Sequence, residues 1–308
     1  MKKTIILTAL LLALLFAFSS ASALTAVTTI YPQYDFLRTI DGERIDVTML
    51  IKPGAEVHSY EPTPKDVLSI AACDLFVYGG GESDTWVEGI LESSGTKASV
   101  FAMMDCVPLL EEEEFDEKEE EEAHHHEEAE YDEHVWTSPK NALLIVQALC
   151  DTLCELDPEG SDVYKANTAD YLDQLTELDE ALTQVCTDSE LHTLVFADRF
   201  PLLYFVKDYG LDYAAAFPGC SSETEPSAAT LTRLIETVID EKLPAVFRLE
   251  TSNDSIAKTV SDASGADILI YHDCHNITAD DFASGKTYLE YMWENVESLK
   301  TALNHSEK

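Results

Sequence analysis

Short apolar runs alternate with longer stretches of helical periodicity along most of the chain. Two groups of four runs have the length and the β-branched and aromatic content of buried strands. The first group is residues 25–30, 46–51, 75–78 and 98–101, and the second is residues 193–197, 213–216, 245–249 and 268–271. Because helical patterns separate the strands, we expect βαβ units and a parallel sheet in each half of the chain.

The middle of the chain carries a longer helical pattern. From Tyr171 to Val185, apolar residues recur at spacings of four, three, four and three, which makes one apolar stripe. Ser161 is its expected N-cap. We predict a connecting helix over residues 161–187, between an N-terminal lobe of residues 24–160 and a C-terminal lobe of residues 188–308. The predicted fold class is α/β, with two similar lobes, each a roughly four-stranded parallel sheet flanked by helices.

One acidic stretch, residues 111–133, interrupts this alternation. It carries a run of glutamates with His124, His125 and His126 embedded in it. Such a segment buries too little apolar surface to offset its ordering entropy, so we expect a disordered loop. A run of carboxylates alone is normally a solvated, solubilising segment. Three consecutive histidines among carboxylates are instead a compositional sign of metal binding.

The overall charge also favours cationic ligands. The 308 residues carry a formal net charge of −40, so nucleic acid and anionic membrane surfaces are poor partners. Residues 1–23 have the basic start, apolar run and small-residue cleavage site of a secretory signal peptide. We therefore expect an exported protein that is periplasmic, or extracellular and associated with the cell surface. No cysteine follows the apolar run to accept a lipid anchor, and the seven cysteines include no CxxC pair.

Four possible metal ligands directly follow predicted strands or lie in the loop after one. In open α/β sheets, ligands bind at the carboxyl ends of the strands. A lone surface histidine usually binds nothing, and Asp198 and Glu250 have other uses in pairing with Arg199 or capping a helix. Their shared placement at strand ends favours a site in the cleft between the lobes. The four residues are His58, Asp198, Glu250 and His272, and His134, just before a helix capped by Ser138, is a fifth.

Several motifs resemble the metal-binding solute receptors of ABC importers, the zinc and manganese family. The stretch Gly54-Ala55-Glu56-Val57-His58-Ser59-Tyr60-Glu61-Pro62 is similar to the family's first metal-histidine motif. Ile30-Tyr31-Pro32, Gly81-Glu82-Ser83-Asp84-Thr85-Trp86 and Asp132-Glu133-His134-Val135-Trp136 match it in the same order. A His- and acid-rich insertion before the second metal histidine resembles the zinc-specific members, as do two lobes joined by a long helix.

The resemblance implies that His58 and His134 are metal ligands from the N-terminal lobe. The family places a third ligand after the first strand of the second lobe, where this chain has Ala197-Asp198-Arg199 and Asp198 is the nearest donor. Its fourth ligand follows the last strand, at the place of His272. We therefore expect a site of His58, His134, Asp198 and His272, with His275, Glu250 or water as possible replacements for Asp198.

The expected function is an extracytoplasmic zinc receptor that passes its ion to an ABC importer permease. Three imidazoles with one carboxylate or water suit zinc, whereas two histidines with two carboxylates favour manganese, the alternative ion. We expect a monomer without enzymatic activity. A secreted metal-dependent hydrolase is one alternative, but the sequence contains no HExxH or GxSxG motif. A metal buffer or cell-adhesion protein without a transporter is another.

Overall fold

The computed structural model describes residues 23–112, 130–219 and 225–304. Two four-stranded sheets are present in these ranges, and every strand pair in them is parallel. The first sheet contains β1 (Leu24–Thr28), β2 (Ile45–Met49), β3 (Leu75–Tyr78) and β4 (Ser99–Ala102), in the order β2-β1-β3-β4. The second contains β5 (Thr193–Phe200), β6 (Asp212–Pro218), β7 (Ala245–Leu249) and β8 (Asp267–Tyr271), in the order β6-β5-β7-β8. The two lobes therefore share one topology, and the predicted fold class is confirmed.

Helices connect the strands in both lobes. The N-terminal lobe has α1 (Tyr31–Asp41), α2 (Pro64–Ala72), α3 (Trp86–Ser94) and α4 (Pro139–Leu156). The connecting helix is α5 (Ser161–Asp188), one residue longer than predicted. The C-terminal lobe has α6 (Leu203–Tyr209), α7 (Ala228–Asp240), α8 (Ser255–Ser264), α9 (Ala279–Ser284) and α10 (Tyr288–Ala302). Short 3-10 turns cover Glu82–Asp84, Met103–Cys106 and Val135–Thr137.

The start of α4 follows its predicted capping chemistry. Ser138 has an extended backbone, and its hydroxyl accepts a hydrogen bond from the Lys140 amide, while Pro139 occupies the first helical turn. This cap fixes the point at which the chain leaves the short turn that carries His134. The second metal-histidine motif, which contains His134, is thus anchored to the N-terminal end of a long helix.

The connecting helix is about 42 Å long at 1.5 Å per residue. Its predicted apolar stripe is buried, and it packs against α1 and α4 from the first lobe and α10 from the end of the chain. One apolar core runs through both lobes, from Ala26 in β1 to Phe247 in β7. Two smaller cores cover the outer faces of the two sheets. The lobes are consequently joined by shared packing as well as by one helix.

Some predicted features lie outside the described residues: most of the signal segment 1–23, His124, His125 and His126, and Cys220. Of the acidic stretch 111–133, the structure describes only its two ends. The six described cysteines all have free thiols. Among the described residues, no helix is both long enough and apolar enough to cross a membrane.

Candidate metal centre

Three histidine rings meet where the two lobes join. One ligand nitrogen each from His58, His134 and His275 lies within 4.8 Å of the other two. The ring centroids are 5.8 Å apart for His58 and His134, 4.8 Å for His58 and His275, and 5.1 Å for His134 and His275. Two nitrogens on one tetrahedral zinc lie about 3.4 Å apart, given Zn–N bonds of about 2.0 to 2.1 Å. A small approach of the rings is enough to enclose an ion.

His58 is oriented by a hydrogen-bond chain to the neighbouring loop. Its Nδ1 lies 3.0 Å from the Ser83 hydroxyl, which donates to Oε1 of Glu133. The other Glu133 oxygen accepts from the Ser83 amide at 2.8 Å. Gly81 permits this close approach, because a Cβ there would lie 2.2 Å from Cβ of Glu133. Because Nδ1 of His58 is engaged in these hydrogen bonds, Nε2 is the nitrogen of this ring that is left to bind a metal.

His134 is fixed more tightly. Its side chain is fully buried, and its Nδ1 lies 3.1 Å from Oδ1 of Asp132, which also accepts from the His134 amide at 2.7 Å. Its Nε2 is buried without a hydrogen-bond partner among the described residues. A buried polar atom without a partner is costly, so this nitrogen is suited to a metal ligand role.

His275 completes the cluster from the C-terminal lobe. It lies in the turn between β8 and α9, its amide donates to Oδ1 of Asp273, and its ring lies 4.8 Å from that of Trp136. The next residue, Asn276, donates from Nδ2 to the carbonyl oxygens of Lys52 and Ala55. The loop that carries His275 is therefore tied to the N-terminal loop that carries His58.

The protonation of the three rings differs. Burial and the neighbouring His134 lower the pKa of His58 to about 4. Burial lowers the pKa of His275 well below its usual range. Burial also lowers the pKa of His134, but the adjacent Asp132 carboxylate outweighs that effect and raises it to about 9. At neutral pH two of the rings are neutral and offer lone pairs, and the site stabilises positive charge at the third.

Asp198, the predicted carboxylate ligand, has its oxygens engaged elsewhere. Oδ2 accepts from the Leu249 amide at 2.9 Å, and Oδ1 accepts from the Ser252 hydroxyl at 3.0 Å and the Arg199 amide at 2.9 Å. Asp198 thus ties the end of β5 to the end of β7. It lines the wall of the cleft beside the cluster without joining the three convergent nitrogens.

His272, predicted as a ligand, and Glu250, predicted as a possible replacement ligand, also lie outside the three-histidine cluster. The ring of His272 packs on Tyr291 with centroids 4.8 Å apart, and its Nε2 lies 3.1 Å from Glu294. The structure therefore brings His275, rather than His272, to the other two histidines. Glu250 lies behind the His275 loop, where it accepts hydrogen bonds from the Asp273 and Cys274 amides. Burial and the neighbouring Asp273 raise the pKa of Glu250.

A polar cavity of about 260 Å³ opens beside the cluster. His58 and His275 line it from one side, and Arg199 crosses its rim to pair with Glu56 of the other lobe at 3.3 Å. This cavity gives solvent access to the cluster. A fourth coordination position filled by water is consistent with that access.

The acidic stretch begins and ends close to this site. Glu111 and Tyr131 form an antiparallel bridge, and the Glu112 amide donates to the Glu130 carbonyl at 2.9 Å. Asp132 and Glu133, which orient His134 and His58, directly follow this paired stem. Ser83, Asp132 and Glu133 lie within the motifs that match the family, but the sequence alone predicts no role for them. Asp132 and Glu133 directly precede His134 in the sequence, and this adjacency was the available signal for them. Ser83 lies 25 residues from His58, and only the fold brings the two together.

Two similar α/β lobes joined by a long helix, with a histidine cluster at the junction, define a solute-binding protein of the metal-receptor class. The family model described as zinc-uptake complex component A, periplasmic, matches residues 26–302. The chain belongs to this family.

The individual relatives agree with this assignment. The zinc-binding lipoprotein AdcA of Streptococcus pneumoniae is 33% identical over 279 residues, which are 90% of this chain and 55% of that protein. The chain thus spans only about half the length of that relative. The high-affinity zinc uptake system protein ZnuA of Bacillus subtilis is 31% identical over 92% of this chain and 89% of its own. The crystal structure of the Zn(II)-bound ZnuA-like domain of S. pneumoniae AdcA superposes with a TM-score of 0.77, at 29% identity, covering 92% of this chain and all of that domain.

Proposed function

We propose that the protein is an exported receptor that captures zinc between its two lobes and delivers it to the permease of an ABC importer. The observation that carries the proposal is the convergence of His58, His134 and His275 within 4.8 Å. In this assignment the zinc ion is the transported substrate, and the fourth ligand is water from the adjoining cavity. The family membership and the zinc-related names of the relatives support the same substrate.

The donor set supports zinc over manganese. Three imidazole nitrogens suit a borderline ion such as zinc, whereas manganese prefers carboxylate, carbonyl and water oxygens. In His58 and His134, the nitrogen that faces away from the metal position, Nδ1, is hydrogen-bonded to the Ser83 hydroxyl and the Asp132 carboxylate, respectively. Such outer contacts fix the tautomer and raise the basicity of the metal-binding nitrogen.

A receptor role fits the arrangement better than catalysis. A metal hydrolase needs a general base beside an open metal position. The carboxylates around the cluster are hydrogen-bonded to backbone or side-chain groups that position the loops; they include Asp132, Glu133, Asp198 and Asp273. We therefore propose that the protein binds and releases its ion without chemical change, as a monomer.

Release requires that the two lobes share the ion. His58 and His134 come from the first lobe and His275 from the second, so a small relative shift of the loops lengthens one metal bond and weakens binding. Docking on a permease would supply that shift. The shared core keeps the motion small.

Metal binding is tested on protein purified without an affinity tag, by elemental analysis and by competition with a zinc chelator. We expect one zinc per chain at the tight site. Substitution of His58, His134 or His275 by alanine should weaken zinc binding by at least ~100-fold, beyond the usual loss for an outer contact. His272→Ala is the matched control, since it lies in the same loop, and it should bind zinc like the wild type.

The opposite result would overturn the proposed ligand set: tight binding retained in His275→Ala and lost in His272→Ala. Delivery is tested separately, in cells that lack the receptor and grow under zinc limitation. The wild-type chain should restore growth and zinc content, and His275→Ala should not. Restoration of manganese content alone would identify the other ion as the substrate.

A further inference from the structure

The loop that carries His275 contains a strained residue. Cys274 has a φ of 58°, a left-handed conformation that costs an L-residue with a side chain about 1 kcal/mol or more. This residue separates His272, which packs on Tyr291 of α10, from His275, which faces His58 and His134. The left-handed turn thus lies between the histidine that faces away from the cluster and the one that enters it.

Glu250 contacts the backbone at this turn. It follows β7, whose neighbour β8 leads into the loop. Its Oε2 accepts from the Asp273 amide and its Oε1 accepts from the Cys274 amide, each at 3.2 Å. One carboxyl group therefore binds two successive amides, including that of the strained residue.

Within the turn, the Asp273 carboxylate accepts from the His275 amide at 2.9 Å, and the Trp136 indole donates to the Asp273 carbonyl at 2.9 Å. Two further anchors act on either side of the turn. Asn295 binds the amide and the carbonyl of His272, both at 2.8 Å, and fixes the end of β8. Asn276 fixes the far side against the carbonyls of Lys52 and Ala55. Among the described side chains, Glu250 is the one that binds the Cys274 amide.

We infer that Glu250 is a positioning residue, which holds the Cys274 turn in its left-handed form and thereby directs the His275 imidazole at the zinc ion. The inference rests on the proposed zinc-binding function. Glu250 touches no metal in this assignment and acts through His275. Glu250 lies at a strand end, where ligand-binding residues are expected. In this protein its carboxyl group instead anchors the backbone of the neighbouring loop.

The test uses Glu250→Leu, which removes both acceptors at similar volume, and Glu250→Gln, which keeps one carbonyl acceptor. Zinc affinity is measured by chelator competition, and coordination by the visible spectrum of the cobalt-loaded protein. Glu250→Leu should weaken zinc binding by about 10- to 100-fold, the usual range for an outer contact, and change the cobalt spectrum. Glu250→Gln should show a smaller loss.

The same substitution in a His275→Ala background separates positioning from general destabilisation. A residue that acts through His275 has nothing left to position there, so Glu250→Leu should cause no further loss of affinity. Equal losses in both backgrounds, or wild-type affinity in the single variant, would overturn the inference. Wild-type protein without a tight zinc site would instead overturn the proposed function itself.

Asp41→Leu is the matched control. Asp41 is buried and accepts from the amide of Glu43, another left-handed residue with a φ of 64°. It is the last residue of α1, just before the connection that enters β2 at the opposite end of the strands from the cluster. Its loss should lower the thermal unfolding temperature without changing zinc affinity or the cobalt spectrum. A similar affinity loss in both variants would show that Glu250 acts only through stability.

Discussion

Nδ2 of Asn276 donates to the carbonyl oxygen of Ala55 at 2.7 Å and so joins the two lobes next to the metal centre. The same nitrogen donates to the Lys52 carbonyl at 2.9 Å. Asn276 directly follows His275, and Ala55 lies three residues before His58. The spacing between ligands from different lobes is thus set by a side-chain amide that bridges their loops.

Removal of this bridge should speed zinc release. In Asn276→Ala the two loops lose two hydrogen bonds, each worth about 1 kcal/mol, so the zinc dissociation rate should rise by up to about 30-fold. The rate is measured by stopped-flow mixing of zinc-loaded protein with excess chelator. The side chain of Asn304 donates from Nδ2 to the Lys300 carbonyl on the surface. Asn304→Ala is therefore the control, and it should release zinc at the wild-type rate. An unchanged rate in Asn276→Ala would show that the bridge does not hold the site closed.

The orientation of His58 should depend on Ser83. Ser83→Ala removes the hydroxyl that links Nδ1 of His58 to Glu133. Zinc affinity should fall about 10-fold, because the imidazole is no longer held in one tautomer and orientation. Chelator competition measures the change. Ser93→Ala loses a similar hydroxyl, bound to the Gly89 carbonyl on an exposed helix, and should leave affinity unchanged; equal affinities for both variants would contradict the assigned role.

Two glycines should respond in opposite directions to substitution by alanine. A Cβ at Gly81 would overlap Glu133, whereas a Cβ at Gly89 in α3 meets nothing within 4 Å. Gly81→Ala should destabilise the fold by about 2 kcal/mol through displacement of Glu133. Gly89→Ala should stabilise it by about 0.5 to 1 kcal/mol, since a helical glycine costs backbone entropy. Urea unfolding checks both values, and a neutral Gly81→Ala would refute the close contact.

A buried acid on α1 should make stability depend on pH. Asp35 is buried, and its carboxylate accepts from the Tyr288 amide at 3.0 Å. Burial raises its pKa from 3.8 to about 6, against the opposing effect of that hydrogen bond. Between these values the unfolded chain releases its proton first, so this group's contribution to stability falls as pH rises from about 4 to 6.

Asp35→Asn removes this titration. The free energy of unfolding of the variant, minus that of the wild type, should therefore increase by about 2 to 3 kcal/mol as pH rises from 4 to 7. Urea unfolding at several pH values measures the difference. Asp262→Asn, at an exposed ion pair with Lys258, should show the same pH dependence of the free energy of unfolding as the wild type. If Asp35→Asn also shows the wild-type pH dependence, the Asp35 carboxyl is not desolvated in the folded state.

The periodic pattern of the chain was sufficient to predict the architecture. Residues 75–78 and 245–249 were predicted with the observed bounds, and α5 was located to within one residue. Burial on one face of a helix or in a parallel strand leaves a direct trace in the order of apolar residues. Strand β5 was predicted to end at Ala197 but continues to Phe200. Pairing with β6, through a register shift between Phe196 and Arg199, carries the strand through its polar residues.

The site was harder to predict, because it depends on the direction of single side chains. His272 and His275 are three residues apart after the same strand, and the sequence motif favoured His272. The left-handed turn at Cys274 separates the two rings and directs His275 to the cluster. That conformation depends on contacts with Glu250 from another strand. Asp198 was predicted as a donor from its position, but the amide of Leu249 and the hydroxyl of Ser252 engage its oxygens.

The single apolar core that passes through both lobes limits how the loaded state can be signalled. A wide hinge opening would expose part of that core to water at a cost of about 25 cal/mol for each Å². A membrane partner of the proposed kind would therefore meet nearly the same protein surface with and without bound zinc. Discrimination between the two must then come from local differences at the cleft rim, where Glu56 and Arg199 face each other, and calorimetry should show both halves melting as one cooperative unit.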